Sequence, residues 1–388
     1  MKRKKNLYNK ILDLDVVINM YDKVIKKNTK NKVKIEEFEN YYSENMVTIK
    51  NVLKSKNYVP GKYNIFFIKE PKLRIIMSQN IEDKIINHLV AKYFLIDSFE
   101  DLLINENCAT RIGKGTHYAI DLFKKYINTE KRNHDLFYVL KFDINKYFYN
   151  IDHEIVKKML VNRIKDKDAL KILFSIIDST DEDYVNETIE SLKDNYQKKI
   201  EKNKNYNNIK KLEEVKNIPI YKKGKGFPIG NMTSQIIATF YLNELDHYIK
   251  NKLGIKYYVR YMDDGVLIHQ DKNYLKYCLK MIGEFLKEYK LELNKKTKIY
   301  SSKEEIEFLG FRFIIKNKII LKVKNQTKKR FKYKLKKLST LYKNGEITRS
   351  EVINVRNSYI SHLKHGSCNN LMDKNIGKID EIIKKKYR

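Results

Sequence analysis

Two adjacent aspartates stand inside an apolar, strand-forming run. Asp263 and Asp264 lie within IKYYVRYMDDGVLIHQ. Burying two like charges side by side is costly unless something neutralises them. A divalent cation removes the conflict, because carboxylate oxygens are ligands that Mg²⁺ prefers. An exposed hairpin tip that carries Asp-Asp-Gly is the alternative, and the dipeptide alone leaves it open.

A third acid, Asp143, ends the apolar run LFYVLKFDI, which begins at Leu136. If the two runs form neighbouring strands of one sheet, Asp143 and Asp264 meet at the same edge. Two ions about 3.5–4 Å apart, held by such carboxylates, can activate a 3′-hydroxyl and stabilise a leaving pyrophosphate. The three acids therefore predict a two-metal site for in-line phosphoryl transfer.

The charge balance favours a polyanionic partner. The 388 residues include 80 Lys and Arg against 48 Asp and Glu, a formal net charge of +32. Such a field attracts nucleic acid. A compositional bias towards Lys, Asn, Ile and Tyr is the alternative explanation. The length predicts two or three packed units, and 42% hydrophobic residues are enough to form a core.

The cysteines and apolar runs indicate a cytoplasmic protein without a membrane partner. Cys108, Cys278 and Cys368 are far apart and form no C-x-x-C pair, so neither a disulfide framework nor a zinc knuckle is expected. The basic first five residues are followed by NLYNKILDLD, which breaks any signal-like apolar stretch. No apolar run approaches the length that spans a bilayer.

Strands and helices around the acids follow from local patterns. YNIFFIKEPKLRIIMS predicts a hairpin of two short strands around Glu70 and Pro71. Helices are predicted from Ile81 to Asp97, over 231–252 and over 273–290, and a further strand pair through FLGFRFIIKNKIIL. The stretch 165–217 is charged and poor in apolar residues. It reads as a partly helical insertion, either a docking site for a partner or a surface excursion.

Five stretches, taken in order, resemble the reverse transcriptase family over roughly residues 60–370. Tyr261-Met262-Asp263-Asp264 is similar to the family's metal-binding turn, and LKFDINKYFYNIDH, with Asp143, to its other metal strand. FPIGNMTSQIIATFYLNELDHYI resembles the template-side loop and helix, residues 293–297 (LNKKT) the lysine-bearing loop, and residues 308–311 (FLGF) the primer grip. Their shared order makes the combined resemblance specific.

The resemblance implies an α+β fold, the right-hand polymerase with fingers, an antiparallel-sheet palm and a helical thumb. The expected regions are an N-terminal helical extension (1–60), fingers (61–135), a palm (136–320, with the insertion at about 165–217) and a basic helical thumb (321–388). The implied activity is RNA-directed DNA polymerisation. Its implied cofactor is a pair of Mg²⁺ ions, with Mn²⁺ as the alternative, and its partners are an RNA template, a DNA primer or product and dNTPs.

The same resemblance assigns residues to the incoming nucleotide. Phe148, five residues after Asp143, occupies the position of a bulky side chain that would clash with a 2′-hydroxyl and so select deoxynucleotides; a core Phe is the alternative. Lys296 would protonate the pyrophosphate or pair with it. The residues that resemble a triphosphate cradle, each with a solvated surface charge as its alternative, are Lys72, Arg74 and Arg111.

The loop and helix that resemble the template side supply further contacts. Ile229, Gly230 and Gln235 are expected at the nucleotide. Gly226 and Gly230 would let the backbone approach a base pair closely, and Ser234 and Gln235 begin a helix whose free amides favour phosphate or template. The expected primer and template contacts are Gly226, Pro228, Ser234, Phe308, Leu309, Gly310, Lys328, Lys329 and Arg330.

Ile229 departs from the family's usual pattern. Retroviral, retron and group II intron members usually carry Gln here, whereas PIGN-x-TSQ resembles diversity-generating retroelement enzymes and some phage-defence reverse transcriptases. An apolar side chain cannot hydrogen-bond the nucleotide, so we expect discrimination to depend on packing and fidelity to be reduced. In the terminal unit, Tyr359 and His362 are expected to pack between helices rather than stack on bases, and His365 to lie on the surface.

The expected role is therefore synthesis of cDNA on a structured non-coding RNA, in antiviral defence or in a diversity-generating retroelement, with an accessory protein or a second copy as a further partner. Two other classes stay open. One is a template-independent or protein-primed DNA polymerase, for which the 29 tyrosines supply candidate hydroxyls. The other is a maturase-like RNA-binding module, against which the three clustered acids argue.

Overall fold

The structure is a computed structural model that describes residues 3–69, 72–201 and 206–384. Glu70 and Pro71, the predicted hairpin turn, lie outside the described residues. The chain forms two compact units, each assembled from three stretches. Unit 1 contains Met1–Arg111, Asp143–Tyr248 and Met281–Lys295, and unit 2 contains Ile112–Phe142, Ile249–Lys280 and Lys296–Arg388. The four regions expected from the sequence stay a prediction.

The strands form three antiparallel sheets. Their orders are β1-β2, β4-β5-β3-β6 and β7-β8-β9. The bounds are β1 Asn64–Ile68, β2 Arg74–Ser78, β3 Tyr138–Phe142, β4 Tyr257–Tyr261, β5 Asp264–His269, β6 Lys298–Ser301, β7 Ile306–Phe308, β8 Phe311–Ile315 and β9 Ile319–Val323.

Helices account for most of the remaining described residues. In the first half they are α1 Leu14–Met20, α2 Lys26–Asn28, α3 Lys32–Asn40, α4 Tyr42–Ser55, α5 Ile81–Val90, α6 Asp97–Phe99, α7 Thr116–Asn133, α8 Tyr147–Asn150, α9 His153–Arg163, α10 Lys167–Asp178 and α11 Asp183–Glu201. In the second half they are α12 Tyr206–Lys216, α13 Met232–Tyr241, α14 Asn243–His247, α15 Lys272–Glu288, α16 Asn325–Lys343, α17 Arg349–Lys364 and α18 Asn369–Lys384. Short 3₁₀ turns (Tyr8–Ile11, Glu100–Leu102) and π turns (Tyr21–Ile25, Ala91–Ile96, Tyr248–Lys252) join some of them.

The four-stranded sheet of unit 2 organises the acidic motifs. β3 lies between β5 and β6, so the predicted neighbourhood of the two apolar runs is confirmed. Both runs are largely buried, which explains why they read as continuous apolar strands rather than alternating ones. α7 packs on β4, and its Phe123 ring meets Phe308 and Phe313 of the β7-β8-β9 sheet edge-on.

The described part of the charged stretch 165–217 contributes to the core of unit 1. α10 begins at an Asp166 cap and buries apolar residues at three- and four-residue spacing. In α11, Val185 and Ile189 pack against Ile65 and Met77 of the β1–β2 hairpin. The few apolar residues of this stretch are therefore placed where they cover one face of a two-stranded sheet, which would be only marginally stable alone.

The mixture of helices and antiparallel sheets confirms the expected α+β class. Cys108, Cys278 and Cys368 are buried and free of disulfides. Among the described residues, none of the helices combines the length and the apolar composition that crossing a bilayer requires.

The packing of α11 on the hairpin gives a stability prediction. Ile189 is fully buried, so Ile189→Ala should lower the free energy of unfolding by about 2–5 kcal/mol. The neighbouring Glu190 is exposed, and Glu190→Ala should change it by no more than about 0.5 kcal/mol. Urea unfolding measures both. Equal effects would show that α11 is a surface excursion.

Candidate active site

The hairpin turn between β4 and β5 carries the paired acids. Tyr261 pairs with Asp264, which leaves only two residues in the turn. Met262 has a φ of +56°, in the left-handed region that is uncommon for a residue with a side chain. The buried Arg260 donates a hydrogen bond from Nη1 to the Met262 carbonyl oxygen at 2.8 Å. A turn tied to a buried guanidinium thus holds Asp263 and Asp264, both half-buried.

Strand β3 packs tightly beside this turn. Phe142 lies opposite Gly265 in the β3–β5 register. A Cβ atom on Gly265 would overlap the buried Phe142 ring, so only glycine allows this close approach. The Nζ atom of Lys141 lies 3.6 Å from Oδ1 of Asp264. This lysine places a positive charge beside one carboxylate of the pair and so reduces the cost of holding two.

Asp143 follows β3 directly, and its side chain is half-buried. Its backbone carbonyl oxygen accepts a hydrogen bond from the Asn294 amide at 2.7 Å. Two residues later, the Asn145 amide donates to the Glu292 carbonyl oxygen at 2.8 Å. The lysine-bearing segment that the sequence singles out therefore fixes the backbone on which Asp143 stands.

Lys296 is exposed and precedes β6 by two residues. β6 borders β3, with Lys298 opposite Lys141 in the register. Lys296 therefore lies two residues before a strand that is paired with β3. Its expected part in pyrophosphate departure stays a prediction.

The near end of the template-side loop is hydrogen-bonded to the segment after β3. The Gly226 amide donates to the Ile151 carbonyl oxygen at 2.8 Å, and the Phe227 amide to that of Phe148 at 2.7 Å. Phe148 lies in α8, half-buried, with its ring edge-on to Tyr147. The residue expected beneath the incoming sugar is thus held by the loop expected to meet the template.

The far end of this loop is fixed on β2. The Met77 amide donates to the Ile229 carbonyl oxygen at 3.1 Å. Gly230 has a φ of +137°, and a Cβ atom there would come within 2.9 Å of the Met77 carbonyl oxygen. Pro228 is buried, Ile229 is half-buried and Gly230 is exposed. Ile229 and Gly230 are therefore the accessible part of the loop.

The first turn of α13 carries the two residues expected to meet the template, and they differ in burial. Thr233 exchanges two hydrogen bonds with the Asn87 amide group, at 2.9 and 3.1 Å. Ser234 is buried and Gln235 is half-buried. The side chain of Ser234 is therefore closed to a template, and only Gln235 is reachable.

A cavity of about 500 Å³ in unit 1, lined by polar and apolar side chains, borders the exposed end of the loop. Its lining includes Phe66, which is 38% exposed, and Gln79, which is 3% exposed. The Nε2 donor of Gln79 has no hydrogen-bond partner among the described residues. The lining side chains that bear on binding are Asn64, Phe66, Gln79, Lys34, Lys84 and His88.

The cavity is basic. No described carboxylate lies within ion-pair distance of Lys34 or Lys84. Burial lowers the pKa of Lys84, and the nearby Lys34 lowers it further. Burial also lowers the pKa of His88, with Lys84 adding to the effect. A phosphate in this cavity would relieve the repulsion between the two ammonium groups.

Lys72 and Arg74 are exposed where the β1–β2 hairpin returns. Lys72 lies in the connection, and Arg74 begins β2 opposite Ile68. Both side chains are open to solvent, as a triphosphate contact requires.

Arg111 has a structural arrangement instead. Its side chain is only 8% exposed, and Nε donates to Oε1 of Glu100 at 2.7 Å. Nη1 donates to the carbonyl oxygens of Ile104 and Asn107 at 2.6 and 3.0 Å. Arg111 therefore fixes its own loop, and a triphosphate would have to displace these partners.

The segment that resembles a primer grip contains one core residue and a turn that a primer could reach. Phe308 is fully buried, with its ring 5.3 Å from that of Phe123. Leu309 and Gly310 form the turn between β7 and β8 with φ values of +46° and +87°. Phe308 is thus a core residue, which leaves Leu309 and Gly310 as the part that a primer could touch.

The region expected to form the basic thumb, 321–388, carries cationic residues at the start of α16. Lys329 is exposed, and Lys328 and Arg330 are half-buried.

The side chain of Tyr359 is buried against the Phe331 ring, as expected for helix packing. The side chain of His362 lies outside the described residues. His365 stacks on His117 with ring centroids 3.5 Å apart, whereas a lone surface position was expected.

Several residues of the site were not singled out from the sequence. Arg260 and Lys141 had a usable signal, because a charge inside an apolar strand needs a partner. The cavity residues had none. They come from segments that are distant in the chain, such as Lys34, Phe66 and Gln79, and only the tertiary fold brings them together.

Comparison with known proteins gives three findings. Residues 67–313, more than half of the chain, match the family described as "Reverse transcriptase (RNA-dependent DNA polymerase)". The "Putative COX1/OXI3 intron 2 protein" of Saccharomyces cerevisiae is 28% identical over 113 residues, 29% of this chain and 10% of the relative. The structure of apo telomerase from Candida tropicalis, truncated from the C-terminal domain, is 13% identical with a TM-score of 0.43. That alignment covers 73% of this chain and 60% of the telomerase chain.

The close approach at Gly265 gives a second prediction. Gly265→Ala should lower the free energy of unfolding by about 1–3 kcal/mol, because the buried Phe142 ring has no room to shift. Gly377→Ala is the matched control. Gly377 lies in α18 with open space around it, so this change should raise stability by about 0.4–1 kcal/mol. Thermal unfolding of both variants gives the sign, and two changes of equal sign would contradict the argument.

Proposed function

Because this chain belongs to the reverse transcriptase (RNA-dependent DNA polymerase) family, we propose that it copies an RNA template into DNA. The right-hand polymerase fold and the enzyme class expected from the sequence are those of this family. One observation carries the proposal for the chemistry. A two-residue turn holds Asp263 and Asp264 beside β3, and Asp143 is the next residue of the chain after that strand.

Asp143, Asp263 and Asp264 would hold the two Mg²⁺ ions. The donor set fits, because all three are half-buried carboxylates with hard oxygen ligands, and Mg²⁺ needs room to keep some of its waters. Mn²⁺ takes the same ligands. When bound, the ions would lower the pKa of the primer 3′-hydroxyl and neutralise the charge on the leaving pyrophosphate.

The chain's own residues prepare this site. Arg260 fixes the carbonyl group of Met262 and so would hold the backbone of the turn that carries the two carboxylates. Lys141 offsets part of the charge of Asp264 before any ion arrives. Lys296 would pair with the departing pyrophosphate or give it a proton.

The incoming dNTP would lie along the loop and the hairpin of unit 1. Phe148 would exclude a 2′-hydroxyl, and Arg74 and Lys72 would bind the triphosphate. Ile229 and Gly230 would contact the nucleotide through packing and backbone approach, together with Gln235. This arrangement supports the expectation of reduced fidelity, because the side chain at Ile229 has no group that hydrogen-bonds a base.

The template strand would enter the basic cavity beside Gly230. Phe66 offers a ring face for a base to stack on, and the Nε2 atom of Gln79 offers a donor for a base edge. Lys34 and Lys84 would neutralise the backbone phosphates without reading sequence.

The growing duplex would meet the region expected to form the basic thumb, 321–388. Leu309 and Gly310 would approach the primer through the β7–β8 turn, while Lys328, Lys329 and Arg330 would bind backbone phosphates. Binding of this kind weakens steeply as salt rises, because it depends on counterion release.

The biological role is proposed from one stretch of sequence. PIGNMTSQ, residues 228–235, resembles the corresponding stretch of diversity-generating retroelement and phage-defence enzymes. We therefore place the chain in the cytoplasm of a bacterium, acting on a structured non-coding RNA in one of these two settings, with an accessory protein or a second copy as a further partner. Sequencing of the RNA that copurifies with the protein separates the two settings.

Asp263→Asn tests the chemistry. It should reduce primer extension on an RNA template by on the order of 10²–10³-fold, because a metal-binding carboxylate is replaced by a neutral amide. It should not lower the melting temperature, since one of two adjacent like charges is removed. Asp271→Asn is the matched control. Asp271 is an exposed cap of α15, and an amide oxygen can keep that role, so its extension rate should be that of the wild type.

The same assay separates the alternatives. Equal extension by wild type and Asp263→Asn would remove the polymerase assignment and leave an RNA-binding module. Synthesis without added RNA would indicate template-independent activity. Labelled dNTP that stays on the denatured protein would indicate priming from a tyrosine.

Phe66→Ala tests the template contact. Loss of one stacked base should weaken RNA binding by about 1–3 kcal/mol, which is roughly 5- to 150-fold in Kd. Ile68→Ala is the control, because Ile68 lies on the same strand face with a similar exposure of 41% and does not line the cavity. Fluorescence anisotropy with a labelled single-stranded RNA measures both. Equal affinities would show that the template does not use this cavity.

A further inference from the structure

One histidine and two aspartates converge within unit 1. His153 begins α9, Asp178 ends α10, and Asp181 lies in the turn that leads into α11. One ligand atom from each lies within 4.8 Å of the other two. The two aspartates lie in one turn, in which the Asp181 amide donates to the Asp178 carbonyl oxygen at 2.9 Å, and the tertiary fold brings His153 to this turn.

The imidazole of His153 has an unsatisfied nitrogen that faces the two aspartates. His153 is only 1% exposed. Its Nε2 lies 2.8 Å from the Gly226 carbonyl oxygen, which can only accept, so Nε2 carries a proton and donates it. The buried Nδ1 atom has no hydrogen-bond partner among the described residues. A buried polar atom of this kind needs a partner that the protein itself does not supply.

The distances around Nδ1 fit two ligands of one ion better than hydrogen bonds. Nδ1 lies 3.5 Å from Oδ1 of Asp178 and 3.6 Å from Oδ2 of Asp181. N–H···O hydrogen bonds are about 2.7–3.2 Å long. Two atoms that are each about 2.0–2.2 Å from a tetrahedral ion lie roughly 3.3–3.6 Å apart. The observed spacing therefore leaves room for a cation between them.

The surrounding charges and hydrogen bonds favour the same occupant. The Nζ atom of Lys157 lies 2.9 Å from Oδ1 of Asp178, so its charge offsets that carboxylate, while the carboxylate of Asp181 has no such ion pair among the described residues. Oδ1 of Asp181 accepts a hydrogen bond from the Gly224 amide at 2.9 Å. This bond turns the second oxygen, Oδ2, towards His153.

We propose that His153, Asp178 and Asp181 bind one Zn²⁺ ion, with water as the fourth ligand. One imidazole nitrogen and two carboxylate oxygens suit Zn²⁺, whereas Mg²⁺ takes an all-oxygen octahedron. The bond from Nε2 to the Gly226 carbonyl oxygen is the outer contact that orients a metal-binding histidine.

The ion would fix the near end of the template-side loop. His153 contacts this loop twice, through its amide to the Gly224 carbonyl oxygen at 2.9 Å and through Nε2 to Gly226. Asp181 adds the third contact. Zn²⁺ would link α9, α10 and this loop, and an ion that binds only the folded state raises its stability. The inference rests on these contacts and is independent of polymerase activity.

The test is a Zn²⁺ titration of the full chain, without a histidine tag, after removal of metals by dialysis against a chelator. Competition with a chromophoric chelator gives the affinity. We expect one high-affinity equivalent and a higher melting temperature with Zn²⁺. Asp181→Asn keeps an oxygen that accepts from Gly224 and loses the ligand oxygen, so its affinity should fall at least about tenfold. Asp178→Asn is an independent second variant with the same expected loss.

Glu154→Gln is the matched control. Glu154 is exposed and lies 3.4 Å from the same Lys157, so this variant removes one negative charge nearby and no ligand. Its Zn²⁺ affinity should equal that of the wild type, and Asp263→Asn should also keep the equivalent. A wild-type chain that takes up no equivalent overturns the proposal. So does wild-type affinity in both Asp178→Asn and Asp181→Asn, because the ion would then bind elsewhere.

Discussion

The repulsion between Asp263 and Asp264 is the constraint around which unit 2 is arranged. Pairing of Tyr261 with Asp264 closes the hairpin in two residues, so the adjacent carboxylates cannot separate without breaking the strand pair. The fold accepts this cost and limits it. Arg260 holds the turn from the buried side, and Lys141 reaches Asp264 from β3. Positions that keep an unfavourable local arrangement of this kind are typical of functional sites.

The sheet around the turn shows how closely the local arrangement depends on packing. Lys141 reaches Asp264 only because β3 lies directly against β5, and β3 lies there only because Gly265 has no side chain to meet Phe142. The absence of a Cβ atom at Gly265 therefore allows the Lys141 ammonium to approach the Asp264 carboxylate. The segment around Asn294 fixes the backbone of Asp143.

The sequence was informative where a function needs a local pattern. Asp263 and Asp264 and the apolar strands followed from residue types and spacing, whereas the adjacency of β3 and β5 was a condition that the structure supplies. It was less informative about burial. Phe308, Ser234 and Arg111 stand in the expected motifs, yet tertiary contacts turn Phe308 and Ser234 inward and bond Arg111 to its own loop. Composition also left open whether 165–217 packs on the core. The structure buries Val185, Ile189 and Ile200 of α11, and the first two pack on the β1–β2 hairpin.

The carboxylates of this basic chain differ in how fully the protein satisfies them. Asp152 is buried, which by itself raises its pKa, but the Lys290 ammonium at 2.6 Å and the Ile155 amide hold that pKa below its ordinary value. That acid is satisfied and needs nothing more. Asp178 is paired with Lys157, and both Asp178 and Asp181 face an imidazole nitrogen that has no hydrogen-bond partner among the described residues. An excess of 32 positive charges does not remove such local deficits, because long-range charge is screened within about 10 Å while contact geometry is not. The deficit at this site is the buried Nδ1 atom of His153, and the proposed ion would satisfy it.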